Sequence, residues 1–269
     1  MSNKRHDPQF DPVGVRGALI TTFRAEYRDA FVFREHYHEV DQIIFACRGV
    51  MTVHTAQGMW VLPTYRALWI PAGTVHKVRM SGAVSVRNLY LRPNLASELP
   101  RVCCVLTISP LLREMILFAC QYPALNRRSK EHACLIGLIL SLLHSSPLLA
   151  LQLPQLVDPR AERVANFFLD EPGSSLAMGE ICKRAGACKR TIERLFKHDT
   201  QMTLGRWRQQ LRLIHSLRLL AQGMKVSSVA LEAGYSSSSS FISMFKGLVG
   251  TTPRVYFQET FPPRSSSTP

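Results

Sequence analysis

The spacing of hydrophobic positions changes character along the 269 residues. Between positions 13 and 92 the apolar residues fall in short β-branched or aromatic runs: QIIFAC (42–47), MTVHTA (50–55), MWVL (59–62), ALWI (67–70), HKVRM (76–80) and VSVRNLYL (84–91). Gly49, Gly58, Pro63, Pro71-Ala72-Gly73 and Ser81-Gly82 punctuate them, so each run reads as a strand bounded by a turn. Such short, regularly interrupted strands predict a small antiparallel barrel or sandwich. From Ser109 the period lengthens. Ser109-Pro110 opens a helix that Pro123 closes. A second helix is expected from Ser129 to His144, where Leu135, Leu138, Ile139 and Leu142 recur at i, i+3, i+4 and i+7. That stripe is broad and uncharged. It reads as core or as a dimer seam, and the seam is preferred because a small barrel offers limited area to cover it. Residues 145–159 hold three prolines and no period, which marks a linker. Helical spacing then continues to Phe261, ahead of a polar, Pro-rich tail expected to fray.

Composition narrows the class. Lys and Arg number 33 against 19 acidic residues, a net +14, which points to a polyanion as partner. Residues 159–269 carry 16 basic and 8 acidic residues, a net +8 over 111 positions, against +6 over the first 158. The seven cysteines (47, 103, 104, 120, 134, 182 and 188) include no C-x-x-C pair, so a disulfide framework or thiolate zinc site is not expected and a reduced cytoplasm is. The opening MSNKRHDPQFDPVG has no apolar run and does not read as a signal peptide. The longest apolar stretch, Ala133 to Leu143, is 11 residues, too short to span a bilayer. No membrane is expected, and nucleic acid is the favoured polyanion.

The basic half repeats itself at a spacing of 49 residues. Ile192-x-x-x-Phe196-Lys197 matches Phe241-x-x-x-Phe245-Lys246, Thr203 matches Thr252, and Trp207 matches Tyr256. Upstream, Ile181-Cys182-x-x-x-Gly186 matches Val229-Ala230-x-x-x-Gly234. Each unit has helix-turn-helix grammar. A small residue (Cys182, Ala230) allows close helix approach, and four residues later a Gly supplies the positive φ of a tight turn. A second helix then buries Ile192, Leu195 and Phe196, or Phe241, Met244 and Phe245. Between the units lies an amphipathic helix, roughly Leu204 to Leu220, on the order of 25 Å long. A strut of that size could hold two reading helices near the ~34 Å that separates successive turns of a DNA groove. Trp207 and Tyr256 follow the apolar pattern and read as core.

On these residues the segment 159–261 resembles the DNA-binding domain of the AraC/XylS family of bacterial transcription regulators. The matching stretches are KRTIERLFKHDT (189–200), WRQQLRLIHSLRLL (207–220) and VSSVALEAGYSSSSSFISMFKGLVGTTPRVY (226–256). Departures are Gln201 where the family usually has Gly, Ser243 where Arg is common, Cys182 for Ala, and Cys188 for the usual Ser N-cap. The resemblance implies that the second helix of each unit enters the major groove. In the first unit the base-facing candidates are Lys189, Arg190, Thr191, Glu193 and Arg194. Arg can pair bidentately with guanine, and Glu193 can accept from cytosine or hold Arg190 or Arg194 in place. In the second unit they are Ser238, Ser239, Ser240 and Ser243, short groups expected to set register more than sequence choice. Arg206, Arg208, Arg212, Lys225 and Lys246 are the phosphate candidates.

In the first half, His36-Tyr37-His38, Gln42 and Pro71-Ala72-Gly73-Thr74-Val75-His76 have the spacing of the two motifs of a cupin. On a strand, His36 and His38 point to one face, and His76 can join them from a distant strand. Gln42 stands where cupin enzymes usually carry Glu, and Met80 stands near the usual Asn. His36, His38, Gln42, Trp60, Trp69 and His76 are therefore the candidate effector pocket. No cofactor is expected; a divalent metal on His36, His38 and His76 is the alternative.

The resulting expectation is a two-domain chain, β then α. A cupin-like β-barrel sensor occupies 1–108, a helical dimerisation segment and linker 109–158, a DNA-binding domain with two helix-turn-helix units 159–261, and a disordered tail 262–269. The function implied is a cytoplasmic, ligand-responsive, sequence-specific DNA-binding regulator, activator or repressor. It would be a homodimer on double-stranded DNA, with an unknown small-molecule effector, and would contact RNA polymerase if it activates. It is not expected to be an enzyme; the alternative is a cupin metalloenzyme with an appended DNA-binding domain.

Overall fold

In the computed structural model, residues 17–64, 66–146, 148–149 and 152–258 are described. The chain divides into two units, 1–152 and 153–269. The first contains β1 (Ile20–Tyr27), β2 (Val32–His36), β3 (Asp41–Thr55), β4 (Gly58–Pro63), β5 (Arg66–Ile70), β6 (His76–Leu91) and β7 (Cys104–Thr107). It continues through α1 (Pro110–Ala119), β8 (Ala124–Leu125), α2 (Lys130–His144) and β9 (Leu148–Leu149), and β10 (Gln152–Pro154) begins at its last residue. The strands form one ten-stranded sheet built around β3 and β6, which pair antiparallel.

The pairs QIIFAC/MTVHTA and HKVRM/VSVRNLYL were each expected as two strands; each is one long strand. Gly49 takes φ +80° and Gly82 φ +73° inside these strands, and the β3–β6 register shifts around Arg48. The glycines therefore kink continuous strands rather than end them. Gly49 has no room for a side chain, since a Cβ there would lie 2.6 Å from the Ala83 carbonyl oxygen.

The side-chain period of two sorts the sheet into two faces. Ile43, Phe45, Ala67, Trp69, Leu89 and Leu91 pack under α1 and α2 with Leu112, Ile116, Leu135, Ile136, Ile139 and Leu143. Ile44, Leu68, Ile70, Val78, Met80 and Val86 form a separate core on the other face. The helices are capped by Ser109 and Ser129, whose hydroxyls accept from Leu112 N and His132 N. This packing corrects the expectation of a dimer seam: Leu135 and Ile139 are buried against the sheet, Leu142 is half-buried, and only Leu138 of that stripe is exposed (41%). Nor is 145–158 a bare linker. Within the first unit β9 pairs with β7, so residues 148–149 of this segment add an edge to the sheet.

The second unit runs α3 (Pro159–Asp170), α4 (Met178–Arg184), α5 (Lys189–Thr200), α6 (Leu204–Ala221), α7 (Val226–Glu232), α8 (Ser238–Val249) and α9 (Pro253–Gln258). Cys182 and Ala230 are buried at the helix approaches, and Gly186 and Gly234 take φ +82° and +75° in the turns. Residues 259–261 and the expected tail 262–269 lie outside the described residues, as do positions 13–16.

The two second helices end alike, 49 residues apart, in the left-handed conformation: Gln201 at φ +57° and Gly250 at φ +90°. An L-residue there costs roughly 1–2 kcal/mol that glycine avoids. Gln201 recovers part of this, since its Nε2 donates to His198 O and its own carbonyl accepts from Lys197 Nζ, both at 3.0 Å. Gln201→Gly is expected to stabilise the full chain by about 0.5 kcal/mol and Gly250→Ala to destabilise it by about 1 kcal/mol, read from urea midpoints at unchanged slope. A lower midpoint for Gln201→Gly would show that the side-chain bonds outweigh the backbone strain.

Candidate nucleic-acid interface and sensor cavity

The helical period divides α5 cleanly. Ile192 and Phe196 are fully buried and Leu195 is half-buried, while Lys189, Arg190, Glu193 and Arg194 are exposed and Thr191 half-exposed. Glu193 pairs with Lys189 at 3.7 Å, not with the arginines suggested by spacing alone. Among the described residues neither Arg190 nor Arg194 has an ion pair, so both guanidinium groups stand ready for an external acceptor. Cys188 occupies the N-cap without capping the helix; its Sγ lies 3.3 Å from Thr191 Oγ1, a contact that pulls the thiol pKa down.

On α8, Phe241 and Phe245 are buried, Ser239, Ser240 and Ser243 are exposed, and Ser238 is half-buried. The serine run has a second role that spacing did not reveal. Ser237 is the N-cap and accepts from Ser240 N at 3.2 Å, while Ser240 Oγ donates back to Ser237 O at 2.8 Å. Ser240 is thereby tied to the cap, which leaves Ser238, Ser239 and Ser243 as the uncommitted hydroxyls of this helix.

The backs of the two helices are held identically. Phe196 meets Trp207 edge to face at 5.4 Å, and Phe245 meets Tyr256 edge to face at 5.9 Å. The repeat also extends further upstream than its motif showed, because α3 stands to the first unit as α6 stands to the second. Arg163 on α3 and Arg212 on α6 are 49 residues apart, and both use their guanidinium group inside the fold. Arg163 donates from Nη2 and Nε to Ala185 O at 2.8 and 3.2 Å. Arg212 donates from Nε to Pro172 O at 3.2 Å and lies 5.4 Å over the Tyr235 ring.

This changes the phosphate set. Arg208 donates to Ser174 O and stacks 4.6 Å over Phe168, and burial pulls its pKa down. With Arg212 one turn further on, it clamps the 172–174 loop. Gly173 of that loop approaches the second turn so closely that a Cβ would lie 2.3 Å from Glu232 O. Arg208 and Arg212 are thus internal clamps, whereas Arg206, Lys225 and Lys246 are exposed. Spacing on α6 alone could not separate the two groups; the Arg163–Arg212 match was the available signal.

In the β domain, His36, His38 and His76 converge, with ring centroids 4.3 to 5.5 Å apart. His36 closes β2 opposite His76, and His38 lies just beyond the strand, anchored by Gly73 N donating to its carbonyl at 2.8 Å. The Nδ1 atoms of His36 and His76 sit 2.7 and 2.9 Å from the Arg34 and Thr74 carbonyl oxygens. A carbonyl only accepts, so Nδ1 carries the proton and Nε2 presents a lone pair. Burial, reinforced by the neighbouring His36, drives the His76 pKa down to about 3, so this ring is neutral. Gln42, Asn88 and Tyr90 line the same cavity.

Trp60 and Trp69 do not line it. Trp69 pairs with Ile43 in register and so faces the helices, where its Nε1 donates to Pro100 O at 2.7 Å. Trp60 packs in the other core with its Nε1 on Thr55 Oγ1 at 3.3 Å. The aromatic residues that do line the cavity are Phe23, Phe33 and Tyr90.

Comparison with known proteins agrees with both halves. Residues 19–151 match the family described as an AraC-like ligand binding domain, and residues 181–259 match a helix-turn-helix domain. The HTH-type transcriptional regulator NimR of Escherichia coli (strain K12) is 32% identical over 221 residues, covering 82% of this chain and 81% of NimR. The HTH-type transcriptional activator RhaR of Mannheimia succiniciproducens is 22% identical over 262 residues, covering 88% of this chain and 91% of RhaR. The solved structure of fatty-acid-bound ToxT from Vibrio cholerae aligns over 91% of this chain and 96% of its own at 12% identity, with a TM-score of 0.37. With a ligand-binding β domain followed by paired helix-turn-helix units, the chain belongs to the AraC family of helix-turn-helix transcriptional regulators.

Proposed function

We propose that this regulator reads double-stranded DNA asymmetrically, with α5 choosing the sequence and α8 fixing register. The observation that carries the reading is the contrast between two helices held alike from behind. Behind both is a buried Phe set against an aromatic ring; in front, the first two turns of α5 carry Arg190 and Arg194, whereas those of α8 expose only short hydroxyls, its one cation, Lys246, lying in the last turn. A guanidinium group can take guanine O6 and N7 together, whereas serine discriminates weakly. Lys189 and Glu193 form a mutual pair beside the arginines, and Thr191 lies on their exposed edge. Arg206, Lys225 and Lys246 serve the phosphates.

The β domain is the effector-responsive part, and a bound ligand acts by favouring one of two states that differ in DNA affinity. The protein works in the cytoplasm as a homodimer on paired sites. Leu111 and Leu138 keep exposed apolar side chains on α1 and α2 for a second copy. As an activator it would additionally contact RNA polymerase. The metalloenzyme alternative is the weaker reading: among the described residues the histidine cavity is lined by amides, a phenol and apolar groups, with no carboxylate to act as base. Among the same residues, no helix is long and apolar enough to cross a membrane.

Duplexes selected from a random pool by the full-length protein give the test. Arg190→Ala and Arg194→Ala are each expected to weaken binding to the selected duplex by about 1–3 kcal/mol and to reduce its advantage over random DNA. Ser239→Ala and Ser243→Ala should leave that advantage nearly intact; equal losses from both helices would contradict asymmetric readout. A second measurement addresses the phosphates. Replacing Lys225 or Lys246 with Ala should weaken specific and random DNA alike and lower the salt slope of log K by about 0.9 per contact. Arg212→Ala should instead lower the unfolding midpoint, because its partners are internal.

A further inference from the structure

The histidine cavity is of the size and chemistry of an ion site. About 20 Å³ is open in it to the centre of a water-sized sphere, and a single water needs roughly 10–15 Å³ by that measure. The ligand atoms of His36, His38 and His76 all lie within 4.8 Å of one another. Metal–nitrogen bonds of about 2.0–2.1 Å put tetrahedral donors roughly 3.3 Å apart, so the three rings need to close by up to about 1.5 Å. His36, half-buried at the end of β2, is the ring with freedom to do so.

Three further features prepare the cavity for a cation. The carbonyls of Arg34 and Thr74 fix the tautomer of two rings and raise their basicity, which is the outer-shell arrangement that ligating histidines require. His76 Nε2 is buried without a hydrogen-bond partner, a cost that a coordinate bond removes. The amide oxygens of Gln42 and Asn88 in the same cavity are likewise buried and unpaired, so acceptors outnumber donors around one small space.

We propose that His36, His38 and His76 bind one late first-row divalent cation, of the cobalt-to-zinc class, with the Gln42 amide oxygen or water as fourth ligand, and that this ion is the ligand of the sensor domain. The second half rests on reading the β domain as the sensor. Every protein donor is neutral. Imidazole suits the later transition metals, whereas Mg²⁺ and Ca²⁺ depend on carboxylate and other oxygen ligands, so the set selects against the hard cations.

The test uses the full-length protein stripped with a chelator and dialysed. Titration with Co²⁺, followed by its visible absorption, should show one ion per chain; Zn²⁺ and Ni²⁺ should displace or match it, and Mg²⁺ should not. Cu²⁺-loaded protein should show imidazole nitrogen couplings by electron paramagnetic resonance. His36→Ala should weaken Co²⁺ binding by at least about tenfold while circular dichroism confirms its fold, and should lose a nitrogen coupling. His54→Ala, at an exposed histidine of β3, should bind like wild type. Absence of stoichiometric binding, equal binding by His36→Ala, or a spectrum without nitrogen couplings would overturn the site. For the second half, DNA affinity is measured with and without Co²⁺. A change that His36→Ala abolishes supports the ion as the sensor's ligand, and an unchanged affinity overturns that role. Failure of both loaded and stripped protein to bind any selected duplex would contradict the DNA-reading assignment instead, and the metal titration is independent of it.

Discussion

A helix of twelve residues does not hold itself in water, and the second helix of each helix-turn-helix unit is that long. What fixes them is the burial of one stripe of large side chains against an aromatic ring carried eleven residues downstream. Phe196 on Trp207 and Phe245 on Tyr256 are the same joint made twice. Truncating a buried Phe of this kind typically costs about 3–5 kcal/mol, a large part of a domain's stability. Because the back of each helix is committed to this joint, its front is left to polar residues, and the front is where the two units differ.

The arginines of this unit show how charge is apportioned. Arg163 and Arg212, matched across the repeat, fasten carbonyl groups inside the fold, and Arg208 joins Arg212 in pinning the 172–174 loop. Arg190 and Arg194 have no such duties. Net charge alone marks the unit as basic, but only the contacts separate the cations that build it from those free to meet a polyanion.

Much of this was legible in the sequence. The helix-turn-helix pairs, α6 from Leu204, and the caps at Ser109 and Ser129 follow from local chemistry: a Gly turn, a hydroxyl before a helix, a 3.6-residue period. The convergence of His36, His38 and His76 was legible as well. What failed depends on pairing between distant strands. Gly49 and Gly82 look like turns until the β3–β6 ladder shows them as kinks, and Trp69 falls on the helix face because it pairs with Ile43. The leucine stripe of α2 was read as a seam because the sheet area available to cover it could not be judged before β3 and β6 were known to be long. Arg208 and Arg212 were read as phosphate contacts because a single helix does not reveal what its charged face meets.

On the proposed reading, two like-built helices, with the 18-residue α6 between them in the chain, address successive segments of one DNA groove. Hydroxyl-radical footprinting of the full-length protein on a selected duplex tests this most directly. Two protected tracts per protomer are expected, centred about one helical turn (~34 Å) apart, with sequence preference concentrated in one of them. A single protected tract, or two tracts of equal sequence preference, would contradict it.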